Sequence, residues 1–391
     1  MNRFSRSLSV ALAAVMLAAG LSVNASAAGV SPFGKQGGER LSGAAADFYE
    51  QEMAFCREVS DGKRTGTVFD LKIKNKMSVD KFSECWTAAN DAFVYDNPEL
   101  SFWLSGCEVS MSYYDKSRLV SAKVTMNPTK DFSGSGSASV DGKKIKAFND
   151  SLKNADRIVM KYKGKTDREK VEGYCNEICA LTEYNTAAAG SMQGGNPWQM
   201  GWVFDGDPDT NVVCEGYAKA LYYLCKKGGV DCRCVTGTMD GGVHMWNIAV
   251  VDGKSYMVDV TNMDGFASQA DIDIELPGLF LLSGAADRTE NGFTLVTPEK
   301  SVTYRQGGKL YKYTLQSSNV RYEYDEITKG LYSKSFLTIS KTDHAVHAHK
   351  GTGKYKANSS CHWQNCGVCG GIVNMETHDT GADGKCKVCK K

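Results

Sequence analysis

The dipeptide Asp252-Gly253 stands between two runs in which apolar and polar residues alternate, "VHMWNIAVV" before it and "KSYMVDVT" after it. Asp-Gly favours the positive-φ conformations of a two-residue turn, so the two runs are predicted to form an antiparallel hairpin. With these as the turn residues, Val251 pairs with Lys254, and the register that follows sets Trp246 opposite Asp259. Opposed side chains share a face. His244, two residues from Trp246, is therefore a diagonal neighbour of Asp259 on that face, about 7–8 Å away at the backbone. Side chains can close that gap. An odd-length loop would place the two on opposite faces.

Upstream, "NVVCEGYAKALYYLC" (211–225) places Ala218, Leu221, Tyr222 and Cys225 at helical spacing, and Gly228-Gly229 ends the pattern. Cys214 is predicted at or just before the start of this helix, where the partial positive charge of the helix end favours a thiolate. "CRCVTGTM" (232–239) reads as a strand leading into the hairpin. Cysteine at a helix start, with histidine beside a carboxylate, is the set that nucleophilic catalysis requires. The imidazole takes the thiol proton and later gives it to the leaving amine, and the carboxylate holds the ring in one tautomer. The rival role for Cys214 is half of a disulfide with Cys225, Cys232 or Cys234. His244 is the only histidine before residue 344.

"VCEGYAKALYYLCKKGGVDCRCVTG" followed by "HMWNIAVVDGKSYMVDVT" resembles the transglutaminase-like superfamily, in which a Cys-Gly-Tyr-Ala helix precedes a His-x-Trp-Asn strand and a strand ending in Asp. The likeness extends to the helix at 166–184 ending in "TEYN" and to "LFLLSG" (279–284), so it spans roughly residues 166–285. It implies an α+β, papain-like core in which a cysteine-bearing helix packs on an antiparallel sheet. It implies Cys214 as nucleophile, His244 as base and Asp259 as orienting acid. An oxyanion also needs donors. The Cys214 N–H is one, and the resemblance implies a second from upstream, for which Tyr184 and Trp202 are candidates alongside Trp198 and Gln199. The catalytic chemistry calls for no cofactor. "DGDPDT" (205–210) starts like a calcium loop but lacks the glycine and glutamate expected at its sixth and twelfth positions, and reads as a solvated acidic loop.

Arg3 and Arg6 precede an apolar run from Leu8 to Val23, and Ala25-Ser26-Ala27 follows, which is the layout of a signal peptide over residues 1–27. The expectation is a secreted, extracellular protein that leaves the membrane on cleavage. Without the leader the formal balance is 44 basic against 45 acidic residues, which points away from a nucleic-acid partner. An exported location also makes pairing the default for the chain's 14 cysteines.

The remaining chain divides by pattern. Residues 39–150 read as an N-terminal α+β region, with helices at 39–59 and 79–96 and strands around 109–113 and 118–126 whose inward face carries Val120, Ala122, Val124 and Met126. Residues 151–285 form the catalytic region, opened by a capping box at Thr166–Glu169. Residues 286–340 read as a β-rich extension. The tail, 341–391, holds five of the six histidines and five cysteines. Its Cys366-x2-Cys369 and Cys386-x2-Cys389 pairs fit a structural zinc site, with His362 and His378 as alternative or second-site ligands; two disulfides are the alternative. The tail also looks like short His/Cys repeats carried by secreted proteins of Gram-positive gut bacteria.

Together these readings predict a secreted thiol acyl-transfer enzyme acting on peptide or side-chain amides of a protein or peptide substrate at the cell surface. It would be a peptidase or amidase if water resolves the thioester, a transglutaminase if an amine does. The alternative from another class is a non-catalytic binding or adhesion module that keeps the fold.

Overall fold

A computed structural model describes residues 6–12, 31–344 and 351–390, apart from residues 101, 103–105, 137, 192–193, 265, 270–271, 275–278, 307–308, 358–360, 367–371 and 382. The chain is a mixed helix-and-sheet protein built on antiparallel sheets. Its N-terminal part contains β1 (Arg6–Leu12), α1 (Gly43–Ser60), β2 (Val68–Leu71), α2 (Val79–Asp96), β3 (Cys107–Asp115), β4 (Arg118–Met126) and α3 (Gly142–Lys161). The four strands form a sheet in the order β1-β3-β4-β2. Strand β1 lies within the segment expected as a leader; residues 1–5 and 13–30, including the expected cleavage site, fall outside the described residues.

The helical periodicity of α1 and α2 brings Phe48 and Phe82 ring to ring at 5.4 Å, and Ser78 caps α2 by accepting from the Lys81 N–H. One strand departs from simple alternation. The pairing of β3 with β4 slips by one residue near Ser112 and Tyr113, so Leu119 turns inward and Val120, expected in the core, is 53% exposed. A bulge inserts one residue, which flips the faces beyond it.

The central part begins with α4 (Asp167–Cys179), whose capping box is formed by Thr166 and Glu169. The long 185–211 connection holds two short helices, α5 (Thr186–Ser191) and α6 (Gly201–Phe204). Then follow α7 (Cys214–Gly228), β5 (Cys232–Met239), β6 (Gly242–Val251), β7 (Lys254–Val258) and α8 (Val260–Asp264). Gly229 ends α7 in the left-handed conformation at φ 74°, as a C-terminal glycine does at low steric cost. The hairpin has the predicted register: Val251 pairs with Lys254 and Asn247 with Val258. Asp252 and Gly253 both have positive φ. Helix α7 buries Tyr217, Leu221 and Leu224 among the core side chains, each contributing about 1.5–3 kcal/mol.

Two small strands, β8 (Phe266–Gln269) and β9 (Ile272–Ile274), pair with each other. Beyond them lie β10 (Asp287–Thr289), β11 (Gly292–Thr297), β12 (Lys300–Gln306), β13 (Lys309–Leu315), β14 (Ser318–Tyr324), α9 (Glu326–Leu331) and α10 (Lys334–Leu337). Strands β10, β11 and β14 extend the sheet that carries His244, whose order is β10-β11-β14-β5-β6-β7. β14 pairs with β5 through Tyr322 and Met239, and the approach depends on Gly237, where a Cβ would stand 1.7 Å from the Glu323 carbonyl oxygen. Helix α3 runs across residues 150 and 151.

The N-terminal part shares one hydrophobic core with the sheet. Polar contacts reinforce the junction: the Tyr95 hydroxyl meets Thr236 Oγ1, and the Ser333 N–H donates to Gln36 Oε1 at 2.8 Å. "LFLLSG" (279–284) forms no regular strand; it runs beside β7 through a bridge between Met257 and Ser283. Residues 351–390 form a separate three-stranded sheet of β15 (Gly351–Ala357), β16 (Cys361–Cys366) and β17 (Ile372–Thr377).

Candidate active site

Three elements converge on the site. Helix α7 presents Cys214 at its first turn, β6 carries His244, and Asp259 sits where β7 passes into α8. His244 Nε2 donates to Asp259 Oδ2 at 2.8 Å. Cys214 lines the same cavity as His244 and adds to the forces that raise the imidazole. Cys214, Cys225, Cys232 and Cys234 are separate thiols, so the disulfide alternative for Cys214 is not formed.

Asp259 is fully buried, and its lone pairs are occupied. Oδ2 accepts from His244, from the Tyr322 hydroxyl at 2.7 Å and from Asn262 Nδ2 at 2.7 Å; Oδ1 accepts from the Asn262 N–H at 3.2 Å. Burial alone would push this carboxyl up, but the His244 charge and the hydrogen bonds from His244, Tyr322 and Asn262 hold it below the usual range. Burial likewise opposes charging of His244, and the Asp259 charge and hydrogen bond overcome it and push the imidazole up to about 10. The buried Asp259 carboxylate thus favours the protonated ring. Its orientation is fixed by packing: Trp246, fully buried, lies nearly parallel to it at 6.0 Å between centroids, and Tyr322 flanks it at 6.2 Å.

A cavity of about 490 Å³ opens beside Cys214 and His244, with Tyr184, Trp198, Thr238 and Tyr324 among its walls. Of the four oxyanion candidates, Tyr184 and Trp198 line this cavity. Trp202 and Gln199 line a different one, with Asp131 and Phe148. The Tyr184 phenol is pushed up to about 12 by burial and by Cys214 and Asp259, so it stays protonated and able to donate. Directly after the cysteine, Glu215 and Lys219 form a buried ion pair, and Lys219 also donates to the Trp198 carbonyl at 3.3 Å. Burial pushes the Glu215 carboxyl up to about 7 despite Lys219.

Sequence reasoning missed Asn262, Tyr322 and the Glu215–Lys219 pair. Asn262 follows Asp259 by three residues at the start of a short helix, the spacing at which an Asp caps a backbone N–H, so a signal was present. The i, i+4 spacing of Glu215 and Lys219 was a signal for the pair but not for its burial. Tyr322 had no local signal, because it reaches the site only through the pairing of β14 with β5. The acidic loop at 205–210 is closed on itself, with Thr210 Oγ1 donating to Asp205 at 2.9 Å.

The metal candidates divide. His362, His378, Cys386 and Cys389 come together, with their ligand atoms all within 4.8 Å of one another. The side chains of Cys366 and Cys369 lie outside the described residues. His344, grouped with the tail by sequence, instead joins the catalytic region: its Nε2 contacts Asp252 Oδ2 at 2.9 Å, and its carbonyl accepts from Arg168 at 3.0 Å.

No family model matches the chain, and no curated protein matches it. A solved structure described as "Crystal structure of a TGase" aligns at 14% identity and a TM-score of 0.28, over 54% of this chain and 53% of that one. The match thus spans about half the length of that structure.

Proposed function

We propose that the protein is a thiol acyl-transfer enzyme of transglutaminase-like type, with Cys214 as nucleophile, His244 as general base and acid, and Asp259 as the group that orients and charges His244. The observation that carries this reading is the buried Asp259–His244 hydrogen bond on the wall of a cavity that Cys214, at a helix N-terminus, also lines. A structural role for His244 would require neither the cavity nor the thiol.

The Cys214 sulfur attacks an amide carbonyl and forms the C–S bond while His244 holds the thiol proton. The oxyanion that develops accepts from the Cys214 N–H, an orphan donor of the helix's first turn, and from the Tyr184 hydroxyl. Collapse breaks the C–N bond, and His244 delivers its proton to the departing amine. The thioester is then resolved by water, or by an amine, with His244 taking the acceptor's proton. Water as acceptor is the favoured reading, which makes the enzyme a peptidase or amidase; a lysine acceptor would make it a transamidase. The substrate is a protein or peptide amide, met at a cell surface if the leader at 1–27 directs export.

The first test is a limiting dose of iodoacetamide on the folded, unreduced protein near pH 6, where an ordinary cysteine is almost wholly thiol. Peptide mapping is expected to find Cys214 labelled, and His244→Ala to abolish the labelling. Ammonia release from glutamine peptides, with and without a fluorescent primary amine, then separates hydrolysis from amine incorporation. Unlabelled Cys214, or retained peptide binding with no turnover, would instead favour the binding-module reading.

A further inference from the structure

The tail cannot hold itself together by burial. None of its described residues belongs to the hydrophobic core shared by the rest of the chain. Yet His362 and Cys386 are each only 1% exposed, and the half-buried His378 and Cys389 lie beside them. His362 comes from β16, His378 follows β17 directly, and Cys386-x2-Cys389 forms the last turn of the chain's described part. Three separate backbone segments thus aim two imidazoles and two thiols at one point.

The separations have a chemical meaning. A tetrahedral zinc ion with bonds of about 2.3 Å to sulfur and about 2.0–2.1 Å to nitrogen has sulfur–nitrogen edges of about 3.6 Å. Cys386 Sγ lies 3.6 Å from His362 Nδ1, and Cys389 Sγ lies 3.5 Å from His378 Nδ1. Both match a tetrahedron's edge.

From this geometry we infer that the tail is a zinc site with a two-histidine, two-cysteine ligand set, His362, His378, Cys386 and Cys389. The sequence spacing alone favoured four cysteines. Four protein ligands close the coordination sphere, so the ion is structural: it ties the turn at 386–389 to β16 and to the end of β17. Binding releases the thiol protons, and the binding free energy is also the folding free energy of this small unit. Zinc rather than calcium or magnesium follows from the donors, which include no oxygen.

The experiment uses the full chain. Elemental analysis of the purified protein is expected to find about one zinc per chain. X-ray absorption at the zinc edge, with the visible spectrum of the cobalt-substituted protein, is expected to report two sulfur and two nitrogen ligands. Zinc is expected to be lost in Cys386→Ser and in His362→Ala, and retained in the double variant Cys366→Ser/Cys369→Ser. A four-sulfur shell would overturn the ligand assignment. A metal-free chain with a Cys386–Cys389 disulfide, seen by mass before and after reduction, would overturn the site itself. Because the ligand shell is read on the unaltered protein, the test survives a variant that fails to fold.

Discussion

The candidate active site and the tail both gather histidine and cysteine at one point, by opposite means. In the catalytic region the polar line of Cys214, His244 and Asp259 is set into a packed wall of Trp246, Tyr322 and Phe293, and the lone pairs of Asp259 are filled by neighbours. In the tail the same residue types converge, and none of the described residues there belongs to the hydrophobic core. A large sheet can hold a strained polar arrangement by burial; a short segment has to be held by what its side chains bind. That difference decides where mutations should hurt and where they should not.

The strongest test of the catalytic half removes the reacting groups. Cys214→Ser and His244→Ala should each lower kcat by ~10³-fold or more, with far-UV circular dichroism and melting temperature near wild type. Comparable turnover in either variant would detach the triad from the chemistry. Next in size is the buried pair beside the nucleophile. Lys219→Met leaves Glu215 without its partner and should cost about 3–5 kcal/mol in urea unfolding, and pairing it with Glu215→Leu should restore much of that loss. If the single variant is neutral, the pair is not buried as described.

Tyr322→Phe offers a finer probe, because it keeps the ring in the wall and removes one hydrogen bond to Asp259. By analogy with other groups that orient a site from behind, it should lower kcat about 10- to 100-fold and shift the pH–rate profile, whereas a purely structural tyrosine would change only stability. The pH dependence of stability has a worked sign. His244 binds its proton more tightly folded, at about 10, than unfolded, at about 6.5, so its contribution is complete below the unfolded value and disappears as pH rises through about 10. Asp259, held low, contributes above its unfolded value of about 3.9, and that contribution is lost on acidification. Urea midpoints of wild type should therefore fall from pH 7 to 10 more steeply than those of Asp259→Asn. Equal slopes would mean that His244 is not charged. The smallest effect tests the independence of the two regions: removing residues 345–391 should change unfolding of the remainder by no more than about 0.5 kcal/mol. A larger loss would show that the tail braces the catalytic region.

Much of the catalytic site was legible because it is local. The hairpin needs only Asp252-Gly253 and an even loop to fix its register, and α7 announces itself by its apolar period and by Gly228-Gly229. What escaped is non-local or geometrically irregular. No periodicity marks that β14 inserts beside β5 rather than starting a new unit, and the one-residue slip between β3 and β4 cannot be read from alternation, which it breaks. The tail shows the same limit from another side. Cys-x2-Cys spacing says which residues can share an ion, and among the described residues the fold of β16 and β17 brings His362 and His378 to Cys386 and Cys389.

The insertion of β14 also has a consequence in time. Tyr322 stands across from Met239 in the finished sheet, some eighty residues later in the chain. At a synthesis rate of about 5–20 residues per second, several seconds pass between the appearance of β5 and that of its neighbour. A nascent chain would possess the cysteine, the histidine and the aspartate well before it possesses the strand that closes the wall behind them. Competence would therefore arrive late and all at once, so that a ribosome-bound fragment ending near residue 300 should be inert although it carries every group of the triad.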